Sequence, residues 1–183
     1  MAEEDNVHWH CEGEMTSLGQ QGLTLKLCAL AKLASLGQKL RMQGIRLVWT
    51  NGCFDLLHLG HVRSLGAARR LGDCLIVGIN SDASVRQLKG PGRPLFSAQQ
   101  RAEMVAALAC VDYVTIFDDL TPEQVLGQLR PDVHCKGQDY GPPHGKPIPE
   151  AAVVASYGGR IEFLPLVPGL STSEIVARIR GQR

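Results

Sequence analysis

Residues 50–61 are Thr50-Asn51-Gly52-Cys53-Phe54-Asp55-Leu56-Leu57-His58-Leu59-Gly60-His61, and this stretch decides the fold. The apolar run before it, Ile45 to Trp49, is typical of a buried strand, and residues 62–71 after it place apolar side chains at helical spacing. We therefore predict that the stretch is the turn of a βα unit. In such a unit the first amides of the helix point into the crevice beyond the strand ends, where the helix dipole favours an anion.

His58 and His61 are predicted to lie on one face of the first helical turn, with Gly60 between them. Because glycine has no Cβ, Gly60 leaves room for a phosphate group. A histidine pair at this spacing also suits zinc. No third ligand lies nearby in the sequence, so we favour nucleotide phosphate and assign no metal ligand. The chain has neither GxGxxG after this strand nor GxxxxGK[ST], so histidines and helix starts must hold the phosphates.

Length and composition limit the class of protein. The 183 residues suit one domain, and a hydrophobic fraction of 44% can fill its core. The formal net charge of +1 gives no overall field for binding nucleic acid or a membrane surface, and we expect neither as a partner. Any anion site must therefore be local.

The cysteine pattern and the N-terminus predict a cytoplasmic protein. The six cysteines form no CxxC pair, and Cys74, Cys110 and Cys135 fall in or beside apolar runs, as buried thiols do in a reducing compartment. No apolar stretch approaches the roughly 20 residues of a membrane span, and the acidic N-terminus lacks the positive start of a secretory signal.

The N-terminal part divides into two segments ahead of the main domain, 45–183. Residues 1–20 carry five acids and no Lys or Arg, which predicts a disordered tail. A metal site is the alternative for this tail, but we assign no role to its candidate ligands, His8, His10, Cys11 and Glu12. Residues 21–44 are predicted to contain an amphipathic helix, over 23–42, that packs beside the sheet or forms a homodimer surface.

The main domain alternates predicted strands with helices. The strands are expected at 45–50, 74–79, 111–117, 132–136 and 160–165. This order predicts an α/β fold with a Rossmann-like, doubly wound, parallel five-stranded sheet and an extra N-terminal helix. Capping boxes are predicted at Ser97 with Gln100 and at Thr121 with Gln124, the latter with Pro122 at the first helical position.

Four loops should meet beyond the carboxyl ends of these strands, where such folds bind ligands. They are 51–61, 80–94, 136–140 and 168–174. In the second loop, Lys89 and Arg93 alternate with glycine and proline, which suits a mobile flap over a phosphate, although a solvated surface loop has the same composition. In the fourth, Ser171 and Glu174 match a helix cap, and Thr172 offers a hydroxyl to a terminal phosphate.

The HxGH turn after the first strand and the Gly-x-Ser-Thr turn before the last helix resemble the nucleotidyltransferase family that includes the cytidylyltransferases. Within it the chain resembles the ADP-heptose synthase branch, over residues 46–179. In glycerol-phosphate cytidylyltransferases an arginine precedes the second turn, whereas Leu166-Val167-Pro168 stands here, which weakens a cytidylyl assignment. The phrases shared with the branch are Thr50-Asn-Gly-Cys-Phe-Asp55, Asn80-Ser-Asp-Ala-Ser84, Gly92-Arg-Pro94, Lys136-Gly-Gln-Asp-Tyr140, Tyr157-Gly-Gly-Arg160 and Ser171-Thr-Ser173.

This resemblance implies that a sugar 1-phosphate attacks the α-phosphorus of ATP, brought in with Mg²⁺, and displaces pyrophosphate. The implied catalytic residues are His58, His61 and Lys89. The implied nucleotide-binding residues are Asn51, Gly52, Cys53, Phe54, Gly60, Lys136, Gly137, Asp139, Gly169, Leu170, Ser171, Thr172 and Ser173. The implied substrate-binding residues are Asp55, Asp82 and Arg93.

Two other functions stay open at this point. One is a cytidylyltransferase acting on a phospho-alcohol such as glycerol 3-phosphate or ethanolamine phosphate, and the other is a non-catalytic nucleotide-binding module. Bifunctional members of the branch carry a sugar kinase ahead of the transferase, for which 183 residues leave no room. We therefore expect a separate kinase to supply the heptose 1-phosphate.

Overall fold

The computed structural model describes residues 25–181, so the predicted tail with His8, His10, Cys11 and Glu12 lies outside the described residues. The elements are, in chain order, α1 Leu30–Met42, β1 Leu47–Gly52, α2 Leu59–Arg69, β2 Cys74–Asn80, α3 Asp82–Lys89, α4 Ala98–Ala106, β3 Tyr113–Phe117, α5 Glu123–Leu129, β4 Val133–Gly137, α6 Ala151–Ser156, β5 Arg160–Leu164 and α7 Thr172–Ile179. A 3₁₀ turn, Gln138–Tyr140, follows β4.

The five strands form one parallel sheet with the order β3-β2-β1-β4-β5. The predicted Rossmann-like, five-stranded parallel fold is confirmed. From β1 the chain first builds outward through β2 and β3, and then crosses to β4 and β5 on the other side. The order therefore reverses between β1 and β4, and a crevice opens there beyond the carboxyl ends of the strands.

Two apolar layers cover the sheet because side chains alternate along each buried strand. Val48 belongs to the layer that contains buried side chains of α2 and α4, and its neighbours Leu47 and Trp49 belong to the layer formed with α1, α5 and α6. β2 is buried along its whole length. These layers hold the carboxyl ends of β1 and β2 in fixed positions.

The helix predicted over 23–42 is wrong in its first half. Residues 25 and 26 are helical, but Leu27 leaves the helix and forms a parallel bridge to Val114, and α1 starts only at Leu30. The amide of Cys28 donates to the Val114 carbonyl at 2.8 Å. β3 is one of the two edge strands, and its open backbone groups outcompete the helical spacing of this short segment.

Two local predictions also need correction. Ser97 and Gln100 form the predicted capping box at α4, but α5 begins at Glu123 and Thr121 donates its hydroxyl to the Glu123 carboxylate at 2.8 Å. Pro122, not Thr121, occupies the cap position, so the threonine lies one residue too early to cap.

Cys74 and Cys135 are buried thiols as predicted, whereas Cys110 is only half-buried. Among the described helices, none combines the length and apolar character that crossing a membrane requires.

Candidate active site

A cavity of about 600 Å³ opens at the crevice between β1 and β4. All four predicted loops contribute to its wall, which matches their expected convergence. Its lining is Thr50, Asn51, Gly52, Cys53, Phe54, Asp55, His58, Gly60, His61, Ser64, Asn80, Leu88, Lys89, Arg93, Leu120, Thr121, Pro122, Cys135, Lys136, Gly137, Tyr140, Pro147, Pro149, Glu150, Leu166, Val167, Leu170, Ser171, Thr172 and Ser173.

Three of the predicted site residues, all within the described range, do not line this cavity. The carboxylate of Asp82 pairs with Arg101 at 2.7 Å, and that of Asp139 pairs with Lys146. Gly169, with φ of 66°, takes the left-handed conformation that turns the chain into Leu170. The structure therefore brings together the predicted catalytic residues and most of the predicted nucleotide-binding residues, but these three do not line the cavity.

The two histidines lie at the start of α2 with their rings stacked, 3.8 Å between centroids. His58 is the N-cap, and its Nδ1 accepts from the Gly60 amide at 3.1 Å, while His61 Nδ1 accepts from the His58 amide at 3.4 Å. Both rings therefore carry their proton on Nε2. Neither Nε2 has a hydrogen-bond partner among the described residues, so both N–H groups are available to donate to a bound anion.

Both histidines are neutral at pH 7 in this state. Burial, helped by the neighbouring His58, lowers the pKa of His61 to about 4 from an ordinary value of 6.5. Burial also lowers the pKa of His58. An adjacent phosphate would raise both pKa values, because it favours the charged imidazolium.

Gly60 is required by the geometry of this turn. A Cβ at position 60 would stand 2.8 Å from the Cε1 atom of the His58 ring, closer than two carbons can approach. Any side chain here would displace His58 from its stacked position. The room for a phosphate predicted at Gly60 stays a prediction.

Asp55 holds residues 89–96, which we call the flap, against the first loop. Its Oδ1 accepts from the amides of Leu95 and Phe96 at 2.6 and 3.1 Å, and its Oδ2 lies 2.5 Å from Arg93 Nε. The Asp55 side chain is 1% exposed and that of Arg93 is 16% exposed. Asp55 is thus engaged with protein groups, and Arg93 reaches the cavity with its charge already balanced.

Lys89 differs from Arg93 in this respect. It ends α3, is exposed, and forms no ion pair with any described residue. Since it also lines the cavity, its ammonium group is available to a phosphate. Of the two flap cations predicted from the sequence, the structure leaves Lys89 unpaired.

The opposite wall contains an ion-paired group that sequence reasoning missed. Glu150 is buried and receives both His134 Nε2, at 3.0 Å, and Lys136 Nζ, at 2.8 Å, on the same oxygen. Desolvation opposes ionisation of Glu150, but the hydrogen bonds from His134 and Lys136 prevail and lower its pKa to about 2. Lys136 also lies over the Tyr140 ring, 4.4 Å from its centroid.

Arg101 is the second residue that sequence reasoning missed. Its side chain is 0% exposed, whereas arginine side chains in proteins are mostly exposed. The helix periodicity held the clue, because Ala102 and Val105 are buried on the same face as Arg101. Arginine in an apolar stripe indicates a paired, buried charge.

The start of α7 joins the first loop. Ser171 caps the helix by accepting from the Glu174 amide at 3.2 Å, as predicted, and the hydroxyl of Thr172 donates to the Leu56 carbonyl at 3.5 Å. The first amides of α7 therefore lie on the cavity wall beside the histidine turn.

The described residues do not form a metal cage. They include no group of three or more His, Cys, Asp or Glu residues placed to hold a metal ion. The two carboxylates of the cavity lining, Asp55 and Glu150, are both engaged with basic partners. Neither of these carboxylates is therefore free to bind a divalent cation in this state.

The model of the cytidylyltransferase-like family matches residues 49–178. Bifunctional protein HldE of Syntrophotalea carbinolica is 55% identical over 139 residues, which cover 76% of this chain and 28% of that protein. The protein of the same name from Methylobacillus flagellatus is 45% identical over 168 residues, which cover 92% of this chain and 34% of that protein. The chain thus spans about a third or less of these curated relatives.

Two solved structures share the fold. The lipopolysaccharide core biosynthesis protein from Thermoplasma volcanium has a TM-score of 0.54 and 24% identity, over 68% of this chain and 98% of that one. Pantoate-beta-alanine ligase from Francisella tularensis has a TM-score of 0.55 and 13% identity, over 85% and 77% of the two chains.

Proposed function

The chain belongs to the cytidylyltransferase-like family, and from this membership we propose that it transfers AMP from ATP to a heptose 1-phosphate, releasing pyrophosphate and ADP-heptose. The observation that carries the proposal is the stacked pair His58 and His61, with both Nε2 protons unpaired at a helix start. Identity of 45–55% to proteins named HldE supports the heptose acceptor. ADP-heptose would serve lipopolysaccharide core synthesis.

The reaction is a single displacement at the α-phosphorus of ATP. An oxygen of the sugar 1-phosphate forms the new P–O bond as the bond to pyrophosphate breaks, so no covalent enzyme intermediate is needed. The attacking phosphate oxygen is already anionic and requires no general base. Positioning and stabilisation of charge therefore supply the catalysis.

His58 and His61 donate from Nε2 to oxygens of the reacting phosphates. Their pKa values are lowered in the empty site, and the phosphates raise them, so the rings gain positive charge where negative charge collects. This change places a cation beside the leaving group only when the substrate is bound.

Lys89 and the first amides of α7 meet the terminal phosphates from two sides. Lys89 offers an unpaired ammonium group, and Ser171 to Ser173 offer backbone N–H groups at a helix N-terminus. On the β4 wall, Lys136 is held by Glu150 and borders the nucleotide. Mg²⁺ enters as part of the substrate Mg–ATP, and no step depends on a protein ligand to it.

The acceptor and the base are tested together by a pyrophosphate-release assay. The purified chain is supplied with ATP or CTP in combination with heptose 1-phosphate, glycerol 3-phosphate or ethanolamine phosphate. We expect turnover with ATP and heptose 1-phosphate, and His61→Ala as the blank. Faster turnover with CTP and a phospho-alcohol would replace the proposal with a cytidylyltransferase, and nucleotide binding without any turnover would replace it with a binding module.

Supply of the acceptor by a separate sugar kinase, assembly as a homodimer and a cytoplasmic location stay predictions. Absence of activity of the purified chain on heptose 7-phosphate with ATP would agree with the first. Sedimentation velocity measures the second.

A further inference from the structure

Arg101 is a buried cation that the proposed chemistry does not use. It does not line the cavity, and its side chain, near the start of α4, is fully buried. Its Nε donates to the Phe96 carbonyl at 2.9 Å, and Nη2 donates to the Asn80 carbonyl at 2.8 Å and to Asp82 Oδ1 at 2.7 Å. Nη1 donates to the Cys53 carbonyl at 2.5 Å.

These partners belong to three separate segments. Cys53 lies in the first loop, 51–61, which we call the histidine loop. Asn80 and Asp82 lie where β2 ends and α3 begins, and Phe96 ends the flap. A planar guanidinium has five donors in a rigid fork, so a single Arg101 reaches all of them, which a lysine cannot do. Arg101 therefore sets the spacing between the histidine loop and the flap.

Phe54, the residue after Cys53, depends on this spacing between the histidine loop and the flap. Phe54 has φ of 46°, a left-handed conformation that is strained for a bulky residue and persists only where neighbours enforce it. Arg101 holds the carbonyl before Phe54, and the flap amides hold the Asp55 carboxylate after it. The ring of Phe54 lies against His61, 5.1 Å between centroids.

We propose that Arg101 is a positioning residue for the transfer reaction, which sets the His61 ring through the Cys53 carbonyl and the constrained backbone of Phe54. This role rests on the proposed function, but its geometric part is measurable without turnover. Without Arg101, three carbonyl acceptors lose their donor and the left-handed Phe54 loses its support. The ring then no longer covers His61.

The test compares Arg101→Met with Arg41→Met. Arg41 is a matched control because its guanidinium also donates to two backbone carbonyls, those of Leu129 and Arg130, away from the cavity. In the pyrophosphate-release assay we expect Arg101→Met to lower kcat at least about tenfold, equivalent to about 1.4 kcal/mol. Arg41→Met should not lower kcat.

The second readout is the pKa of His61, followed by NMR as a function of pH. We expect it to rise from about 4 toward 6.5 in Arg101→Met, because burial lowers it in the wild type, and to stay unchanged in Arg41→Met. If the wild type shows no turnover, the proposed function fails, and this titration still decides the role of Arg101.

Arg101→Lys is the variant to use if Arg101→Met does not fold. It keeps the charge but reaches fewer acceptors, so kcat should fall and the His61 pKa should rise by smaller amounts. A folded variant with wild-type kcat and an unchanged His61 pKa would overturn the proposal. Unfolding of both variants would also overturn it, because Arg101 would then serve stability alone.

Discussion

The charged and titratable groups of the cavity fall into two sets. His58, His61 and Lys89 have side-chain nitrogens without partners among the described residues, whereas Asp55, Arg93, Glu150 and Lys136 are ion-paired within the protein. The pair Asp55 and Arg93 joins the first loop to the flap, and the pair Lys136 and Glu150 joins β4 to the start of α6. The unpaired groups are the ones that can exchange water for phosphate oxygens on binding.

This difference separates two roles for similar residue types. A buried pair has already exchanged its hydration for a partner, and removal of one member leaves an uncompensated group. An unpaired donor in the same cavity contributes little to the empty fold and much to a bound transition state. Substitutions in the first set should therefore lower stability, and those in the second should lower turnover.

The largest effect is expected for His61→Ala. Loss of one transition-state donor should lower kcat by about 10²–10³, with the fold intact. Steady-state kinetics and circular dichroism measure the two quantities. His144→Ala is the control, because His144 is exposed in the loop after the 3₁₀ turn and does not line the cavity. A near-normal kcat in His61→Ala would remove His61 from the unpaired, catalytic set.

Next in size is the effect of Asp55→Asn on stability. The variant loses the charge that balances Arg93 and weakens the bonds to the flap amides, so we expect a loss of about 1–3 kcal/mol in the free energy of unfolding. Urea titration measures it. Asp139→Asn is the matched variant, because Asp139 and Lys146 are 35% and 61% exposed, and such pairs contribute up to about 1 kcal/mol. Equal losses in the two variants would contradict the distinction between buried and exposed pairs.

Lys89→Ala should lower kcat/KM by about tenfold, or about 1.4 kcal/mol, because one unpaired cation at the phosphates is lost. Its melting temperature should stay close to that of the wild type, since exposed surface changes usually alter stability by about 0.5 kcal/mol or less. Lys39→Ala on α1 is the control for removal of an exposed lysine. A large fall in melting temperature with activity retained would make Lys89 structural.

The smallest effect is the uptake of a fraction of a proton when Mg–ATP binds. Between pH 4 and 6.5 the empty protein holds His61 largely neutral, and the phosphates raise its pKa, so binding takes up protons and tightens as the pH falls through this window. Calorimetry in buffers of different ionisation enthalpy measures the uptake. The same measurement on His61→Ala gives the proton uptake due to ATP and His58 alone, and the difference from the wild type is the contribution of His61. Equal uptake in both proteins would show that His61 stays neutral.

The sequence predicted members of both sets as site residues, Asp55, Arg93 and Lys136 among them, but it missed Glu150 and also Arg101, which lies outside the cavity lining. His58, His61 and Lys89 are recognisable because they stand beside glycines at a strand end and a flap, and these patterns are local. Arg101 and Glu150 were missed because their partners lie far away along the chain, 48 residues from Arg101 to Cys53 and 14 from Glu150 to Lys136. The edge-strand pairing of Leu27 was missed for the same reason.

By itself, the sequence determined the order of strands and helices, the position of the histidine turn and the family, because apolar periodicity and short motifs act over a few residues. Only the tertiary structure decided which charges around the cavity are neutralised and which remain available. That outcome depends on the strand order β3-β2-β1-β4-β5, which brings distant loops to one edge of the sheet. The side-chain N–H groups left without partners among the described residues, those of His58, His61 and Lys89, are the ones able to bind an anionic ligand at that edge.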